Sequence, residues 1–184
     1  MALPESHPFI GVQEYLRGEE SSELRHEYIG GVVYAMVGAS RQHNTLALNL
    51  GAALHRHLHG GPCRVFMSDV KVRLRVRGEE IFYYPDLVVA CEPSDRERYY
   101  VEQPRLIVEV LSETTERIDR REKLFAYTLI PSLQEYVLVA QVRPEVTVHR
   151  RRSDWAGEIL TASELRLEAV DFDIPLASIY EGVE

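Results

Sequence analysis

The sequence predicts an α/β fold, a mixed central β-sheet flanked by helices, and three stretches carry that prediction. Between residues 40 and 59, Leu46, Leu50, Ala53 and Leu54 recur at helical spacing. Between 70 and 77, Val70, Val72, Leu74 and Val76 alternate with Lys71, Arg73, Arg75 and Arg77, the period-two pattern of a half-buried strand. Leu106–Leu111 (LIVEVL) is almost wholly apolar, as expected of a central strand covered on both faces. Helical and strand patterns interleave along the whole chain, which favours one α/β layer structure over separate all-α and all-β units.

From the N-terminus, residues 8–19 read as a short amphipathic helix with Ile10, Val12, Tyr15 and Leu16 on its apolar side. Glu27–Ile29 and Val32–Val37 read as a hairpin turning at Gly30-Gly31. Ser40 is placed to cap the long helix, and Gly60-Gly61-Pro62 to end it. Arg77–Glu80 turns the chain after the basic strand, and Ile81–Ala90 returns as a second strand. Residues 92–103 are polar and read as a loop. After LIVEVL come a helix over 115–128, stopped by Pro131, and strands at Glu135–Ala140 and Glu145–Arg150. Leu165–Leu167 reads as an edge strand before a docked tail.

Composition narrows the classes. With 184 residues, 45% hydrophobic and 27% charged, the chain resembles an average globular protein. Its length suits a single domain over residues 1–184. No apolar run approaches the ~20 residues of a membrane span. The start, MALPESHPFIG, lacks the basic and apolar regions of a secretory signal. Cys63 and Cys91 form no CxxC pair and no disulfide framework, so reduced thiols and a cytoplasmic setting are expected. The formal net charge of −8 counts against tight sequence-independent binding of nucleic acid.

Three residues break their local pattern, and function often sits at such breaks. Glu109 lies in the middle of LIVEVL, where a buried charged carboxylate costs several kcal/mol unless a metal, a cation or a proton compensates it. An exposed strand end or a neighbouring arginine would also explain it. Asp86 follows Pro85 within a strand-forming run, so the strand bends there; a simple turn between two short strands is the alternative. Two carboxylates converging from neighbouring strands make a natural site for a hard divalent cation such as Mg²⁺. Lys123 lies beside the core stripe of its helix, which reads as Ile118, Leu124 and Phe125. It either pairs at the surface with Asp119 at i,i+4 or reaches back to the carboxylates.

With these residues in view, the chain resembles the PD-(D/E)XK superfamily, which has the restriction-endonuclease-like fold. More closely, it resembles a bacterial branch of endonuclease-like proteins of undefined biological role. The resemblance runs from EYIGGVVYAM (27–36) through His43, Pro85-Asp86 and Glu109-Val110-Leu111-Ser112 to Asp119–Tyr127 and Glu135-Tyr136. It implies a DNA endonuclease in which Asp86 and Glu109 bind Mg²⁺, or Mn²⁺ in its place. The superfamily pattern has lysine two residues after the glutamate; this chain has Leu111, and the branch implies that Lys123 takes that role. Lys71 is a substitute should Lys123 not reach. Glu27 matches an additional acidic residue and His43 a frequent histidine near the start of the long helix. Each also has a bland reading, as an exposed strand carboxylate and as a capping or structural histidine.

The implied nucleic-acid contacts are His43, Lys71 and Arg73, on or near a basic strand edge that could equally be a solvated face. Arg150-Arg151-Arg152 carries the same ambiguity. The resemblance further implies a homodimer. Two rival functions stay open: a nuclease-fold binding or assembly module that does not cut, and a metal-dependent hydrolase of another substrate. His55, His57 and His59 mimic a zinc half-site, but Arg56 stands where an HExxH motif has glutamate, so structural or solvent-facing histidines are expected.

Overall fold

In the computed structural model, which describes residues 9–112 and 115–183, the chain opens with helix α1 (Val12–Ser21) and the hairpin β1 (His26–Ile29) and β2 (Val32–Ala35). Gly30 and Gly31 make its turn with φ of 55° and 99°, a left-handed pair that glycine adopts without steric cost. Helix α2 (Arg41–Leu58) starts where the Ser40 hydroxyl accepts a 3.0 Å hydrogen bond from the His43 amide. Strands β3 (Arg64–Met67), β4 (Lys71–Val76), β5 (Glu79–Tyr83), β6 (Leu87–Ala90), β7 (Tyr100–Val101) and β8 (Pro104–Leu111) come after it. A helical segment is next, made of α3 (Glu116–Ile118), a π turn (Asp119–Lys123) and α4 (Leu124–Thr128). Strands β9 (Glu135–Ala140), β10 (Val146–Arg150), β11 (Gly157–Leu160), β12 (Glu164–Leu167) and β13 (Phe172–Pro175) lead to α5 (Leu176–Ile179).

The strands form two main sheets, with orders β2-β1-β5-β4-β7 and β11-β10-β9-β8-β6-β3, and β12 pairs with β13. The mixed character is real: β8 and β9 run parallel while β6 and β8 run antiparallel. The expected continuous strand Ile81–Ala90 is corrected to β5 and β6, which belong to different sheets. Pro85 has no amide hydrogen for a ladder, so the chain leaves one sheet there and enters the other. The edge strands β3 and β11, the two-residue β7 inside the expected loop, and β13 lack the alternation that would have announced them.

Alternation along β8 sets the core. Leu106, Val108 and Val110 pack with Leu46, Leu50 and Leu54 of α2, and with Leu165, Ile174 and Ile179 from the C-terminal elements. Gly51 lets α2 approach closely, since a β-carbon there would lie 2.9 Å from the Met67 sulfur. On the opposite face, Ile107 and Leu111 pack with Val72, Leu74 and Tyr83 of the five-stranded sheet and with Ala126 and Tyr127 of α4. Glu109 belongs to this second face, so the site lies between the two sheets.

The basic clusters are internally matched. Arg150 is buried and pairs with Glu135 at 2.7 Å and with Glu158, while Arg152 pairs with Glu168. Arg151 donates to the Leu133 carbonyl at 2.7 Å. His57 bonds the Val170 carbonyl at 2.9 Å and stacks on Phe172, a structural role.

The expectation of reduced thiols is corrected. One step beyond the Arg64–Ala90 pair, Cys63 and Cys91 face each other across β3 and β6 and form a disulfide that closes a 28-residue separation. Single-sequence spacing could not show this, because the pairing of β3 with β6 brings them together. Cys63→Ser with Cys91→Ser should lower stability by about 3 kcal/mol, the usual effect of releasing a loop of this size. A urea titration of the oxidised protein against the double variant reads that loss, and coincident midpoints would contradict it.

Candidate active site

The strand register places the acids. One step beyond the Leu87–Val108 pair, Asp86 falls opposite Glu109, and the Asp86 amide approaches Glu109 Oε2 at 3.4 Å. Asp86 Oδ2 accepts a 2.7 Å hydrogen bond from the Val110 amide, and Asp86 Oδ1 lies 2.7 Å from His43 Nε2. His43 is held in turn by α2 and by Gln141, just past β9. The Gln141 amide donates to the Leu111 carbonyl at 2.7 Å, lies 3.5 Å from His43 Nδ1, and accepts from the Ser40 hydroxyl at 2.7 Å.

Lys123 reaches the carboxylates. Its Nζ is 3.0 Å from Glu27 Oε1, 3.1 Å from Glu109 Oε1 and 3.4 Å from Asp119 Oδ1, and it lies over the Tyr83 ring. The π turn explains how. Widening one helical turn shifts the residues after it, so that Lys123 lies on the buried face with Asp119 while Phe125 turns outward. The expected core stripe of Ile118, Leu124 and Phe125 is corrected accordingly: Phe125 is 53% exposed, and Ala126 and Tyr127 take the core side. Tyr127 donates its hydroxyl to Glu109 Oε1 at 3.2 Å. The Tyr84 amide approaches Glu27 Oε1 at 3.4 Å.

Asp86, Glu109, Lys123, Glu27 and His43 therefore stand together, as does Asp119, which the sequence offered only as a surface partner for Lys123. Lys71 and Arg73 stand apart. Lys71 is buried, donates to the Tyr84 hydroxyl at 3.2 Å, and feels the charge of Glu19, the partner of His26. Arg73 is taken by Glu80 at 2.9 Å and Glu102 at 2.8 Å. Tyr127 and Gln141 were missed. Tyr127 had one signal, since it lies four residues after Lys123 on the same helical face.

The charges do not balance. Three carboxylates, Glu27, Glu109 and Asp119, share one ammonium, Asp86 lies beside them, and Asp119 Oδ1 is buried with no hydrogen-bond partner among the described residues. Burial pushes Glu109 well above the ordinary carboxylate range; Lys123 pulls against this, and Asp119, Asp86 and Glu27 add to it. Burial likewise raises Asp119. Burial disfavours the Lys123 ammonium, but Glu109, Glu27 and Asp119 overcome it and hold the lysine charged.

This imbalance fits a hard cation. Among the described residues no three acidic, histidine or cysteine side chains converge on a metal position, because Glu27 and Asp119 are turned onto Lys123. Asp86 and Glu109 remain as the pair that could hold Mg²⁺, an ion that keeps several waters and needs few protein carboxylates.

The raised Glu109 predicts a pH dependence. In the unfolded chain the group titrates in the ordinary range; folded, it keeps its proton to higher pH. Between those limits the folded state binds more protons, so metal-free stability falls as pH rises, by about 1.4 kcal/mol per pH unit for one group. Glu80, held low by Arg73, acts oppositely but only below the ordinary carboxylate range. Urea midpoints measured from pH 5 upward should decline in wild type and decline less in Glu109→Gln, where Asp119 remains the raised carboxylate. A rising wild-type curve would contradict this.

Two sheets enclosing a buried acid–lysine cluster at a strand bend define a restriction-endonuclease-like fold. A crystal structure from Anabaena variabilis, described as "a putative nuclease belonging to DUF820", superimposes with a TM-score of 0.75 at 14% identity, covering 93% of this chain and 97% of that one. At that identity the likeness shows the fold. The chain belongs to the Uma2 family, described as "Putative restriction endonuclease", whose model matches residues 12–172. Two uncharacterised proteins of Synechocystis are similar to it. One is 33% identical over 96% of this chain and 94% of its own; the other is 36% identical over 77% and 80%. The resemblance stated from the motifs is thereby borne out.

Proposed function

We propose that the protein is a divalent-metal-dependent endonuclease that hydrolyses phosphodiester bonds in DNA, with Asp86 and Glu109 as the carboxylates that hold Mg²⁺ or Mn²⁺. The observation that carries this reading is the shortage of positive charge where Glu27 and the buried Glu109 and Asp119 share the Lys123 ammonium and Asp86 lies beside Glu109. Membership of a family described as "Putative restriction endonuclease" supports the substrate class.

When bound, the cation would polarise the phosphate and acidify a water. The protein's own residues do the rest. Tyr127 and Lys123 fix Glu109 through the same oxygen, at 3.2 and 3.1 Å. His43 and the Val110 amide fix both oxygens of Asp86. The Lys123 ammonium offsets negative charge that builds on the phosphate oxygens as water attacks. Glu27 holds Lys123 at 3.0 Å and would help to orient that water.

Arg73, engaged by Glu80 and Glu102, would meet a DNA backbone only by exchanging partners. Lys71, buried behind Tyr84, supports the site wall. We assign the DNA approach to the side of His43 and α2, where the His43 and Asp86 side chains are 15% and 17% exposed. A second copy would present a second site to the other strand, so a homodimer is expected; a monomeric mass by light scattering would count against it.

The test is cleavage of supercoiled plasmid and labelled single-stranded DNA with Mg²⁺, Mn²⁺ or chelator, beside Asp86→Asn. Metal-dependent nicking that Asp86→Asn abolishes supports the proposal. Metal binding without cutting would move the site to another substrate. Neither metal binding nor cutting would leave the fold as a binding module.

A further inference from the structure

Strand β2 and the segment that joins it to α2 form an uncharged lip. Between Glu27 and Arg41 no residue is acidic, basic or a histidine. β2 ends its sheet, with β1 as its neighbour. Edge strands are ordinarily blunted by charged side chains or proline. This one instead presents Tyr34, 50% exposed, and three residues on, Val37, 76% exposed. A lone exposed apolar residue is unremarkable, whereas an uncharged run of them marks a contact surface.

Register sets this lip against the site. Tyr34 stands directly opposite Glu27, so both side chains leave the sheet on one face, with β-carbons about 4.5–5.5 Å apart. On that face Glu27 meets Lys123 at 3.0 Å. The adjacent pair, Tyr28 and Val33, lies on the other face against Tyr15 and Phe82. The far end of the lip is tied to the site as well. Ser40 caps the His43 amide and donates to Gln141 at 2.7 Å, while His43 lies 2.7 Å from Asp86. The lip therefore runs from the Lys123 side of the site to the Asp86 side.

The cations of the chain are poorly placed to track phosphates. It has two lysines, Lys71 and Lys123, and both are buried. Arg73, Arg75, Arg150 and Arg152 are held by carboxylates. A duplex presents phosphates and hides its base faces, so gripping it takes available cations. A single strand also offers base faces, which an aromatic ring can hold by stacking.

We infer that Tyr34 is a base-stacking residue and that the strand entering the site is single-stranded DNA, with one unpaired base laid on the Tyr34 ring and its neighbour against Val37. This rests on the reading of the protein as a DNA endonuclease and names the form of its substrate. Stacking tolerates any sequence, because every base has a π face.

The experiment reads binding apart from cleavage, by fluorescence anisotropy in chelator and again in Ca²⁺, with the strands checked intact afterwards. The probes are labelled oligothymidylate of about 12 nucleotides, within the usual site size for a single strand, and a duplex of equal length. Wild type should bind the single strand about tenfold more tightly than the duplex, and Tyr34→Ala should lose about tenfold, the scale of one stacked base. Tyr34→Phe should bind as wild type does. The salt dependence of Tyr34→Ala should match wild type, since no cation has been removed. Tyr34→Thr, which keeps strand propensity, replaces Tyr34→Ala if alanine loosens the edge.

Wild-type affinity in both Tyr34→Ala and Tyr34→Thr, or tighter binding of the duplex, overturns the inference. So does a loss in Tyr34→Phe as large as in Tyr34→Ala, which would assign the effect to the hydroxyl. A dimer that becomes a monomer in Tyr34→Ala by light scattering overturns it too, giving the lip to a second copy. Each of these leaves metal-dependent nicking by wild type standing. Neither binding nor nicking by wild type removes the DNA reading beneath it.

Discussion

Glu109→Gln should cleave DNA about a thousandfold more slowly than wild type, the scale of losing several kcal/mol of metal-assisted stabilisation, while melting no lower at neutral pH. The two halves of this expectation have one cause. Glu109 is buried beside Asp86, Glu27 and Asp119, and among the described residues Lys123 is the cation that contacts it. Gln keeps the shape and can still accept from Tyr127, but it removes one negative charge from an overcrowded cluster. A residue kept for stability would behave in the opposite way, since truncating one partner of a well-matched buried pair costs about 3–5 kcal/mol. Thermal melts and plasmid nicking on the same preparation decide between them. A variant that unfolds, or one that cuts normally, would remove Glu109 from the chemistry.

Lys123→Met should be the most destabilising single change in the site, by about 3–5 kcal/mol, because it leaves buried carboxylates without a counter-charge. Glu27, Glu109 and Asp119 all lose their shared partner, and Asp119 Oδ1 already has no hydrogen bond among the described residues. The loss should shrink as pH falls, since protonating Glu109 and Asp119 relieves the repulsion. Adding Glu109→Gln to Lys123→Met should recover part of the stability, a coupling that two distant sites would not show. Urea titrations of the two single variants and the double variant measure it. Strict additivity would mean that Lys123 is held by packing alone.

Much of the fold was legible because local periodicity dictates it. The Gly30-Gly31 hairpin, the Ser40-capped helix, the alternating strand at 71–76 and the apolar strand around Glu109 all formed where their patterns placed them. Edge strands β3 and β11 were not legible, because a strand paired on one side and open on the other needs no strong alternation. The break at Pro85-Asp86 was visible as a bend. That it transfers the chain between sheets was not, since proline forbids a ladder bond but does not say where the next one forms.

The chain itself determined which groups were out of place: a carboxylate inside LIVEVL, a Pro-Asp in a strand, and a lysine beside a helical core stripe. Those conflicts between residue chemistry and local pattern are properties of sequence alone. Only the tertiary structure decided what resolves them. The β6–β8 register sets Asp86 against Glu109, and the π turn that begins at Asp119 places Lys123 and Tyr127 inward beside it. The β3–β6 pairing joins Cys63 to Cys91. Each depends on contacts between residues far apart in the chain, where strand register and helix rotation are set by packing rather than by the residues' own preferences.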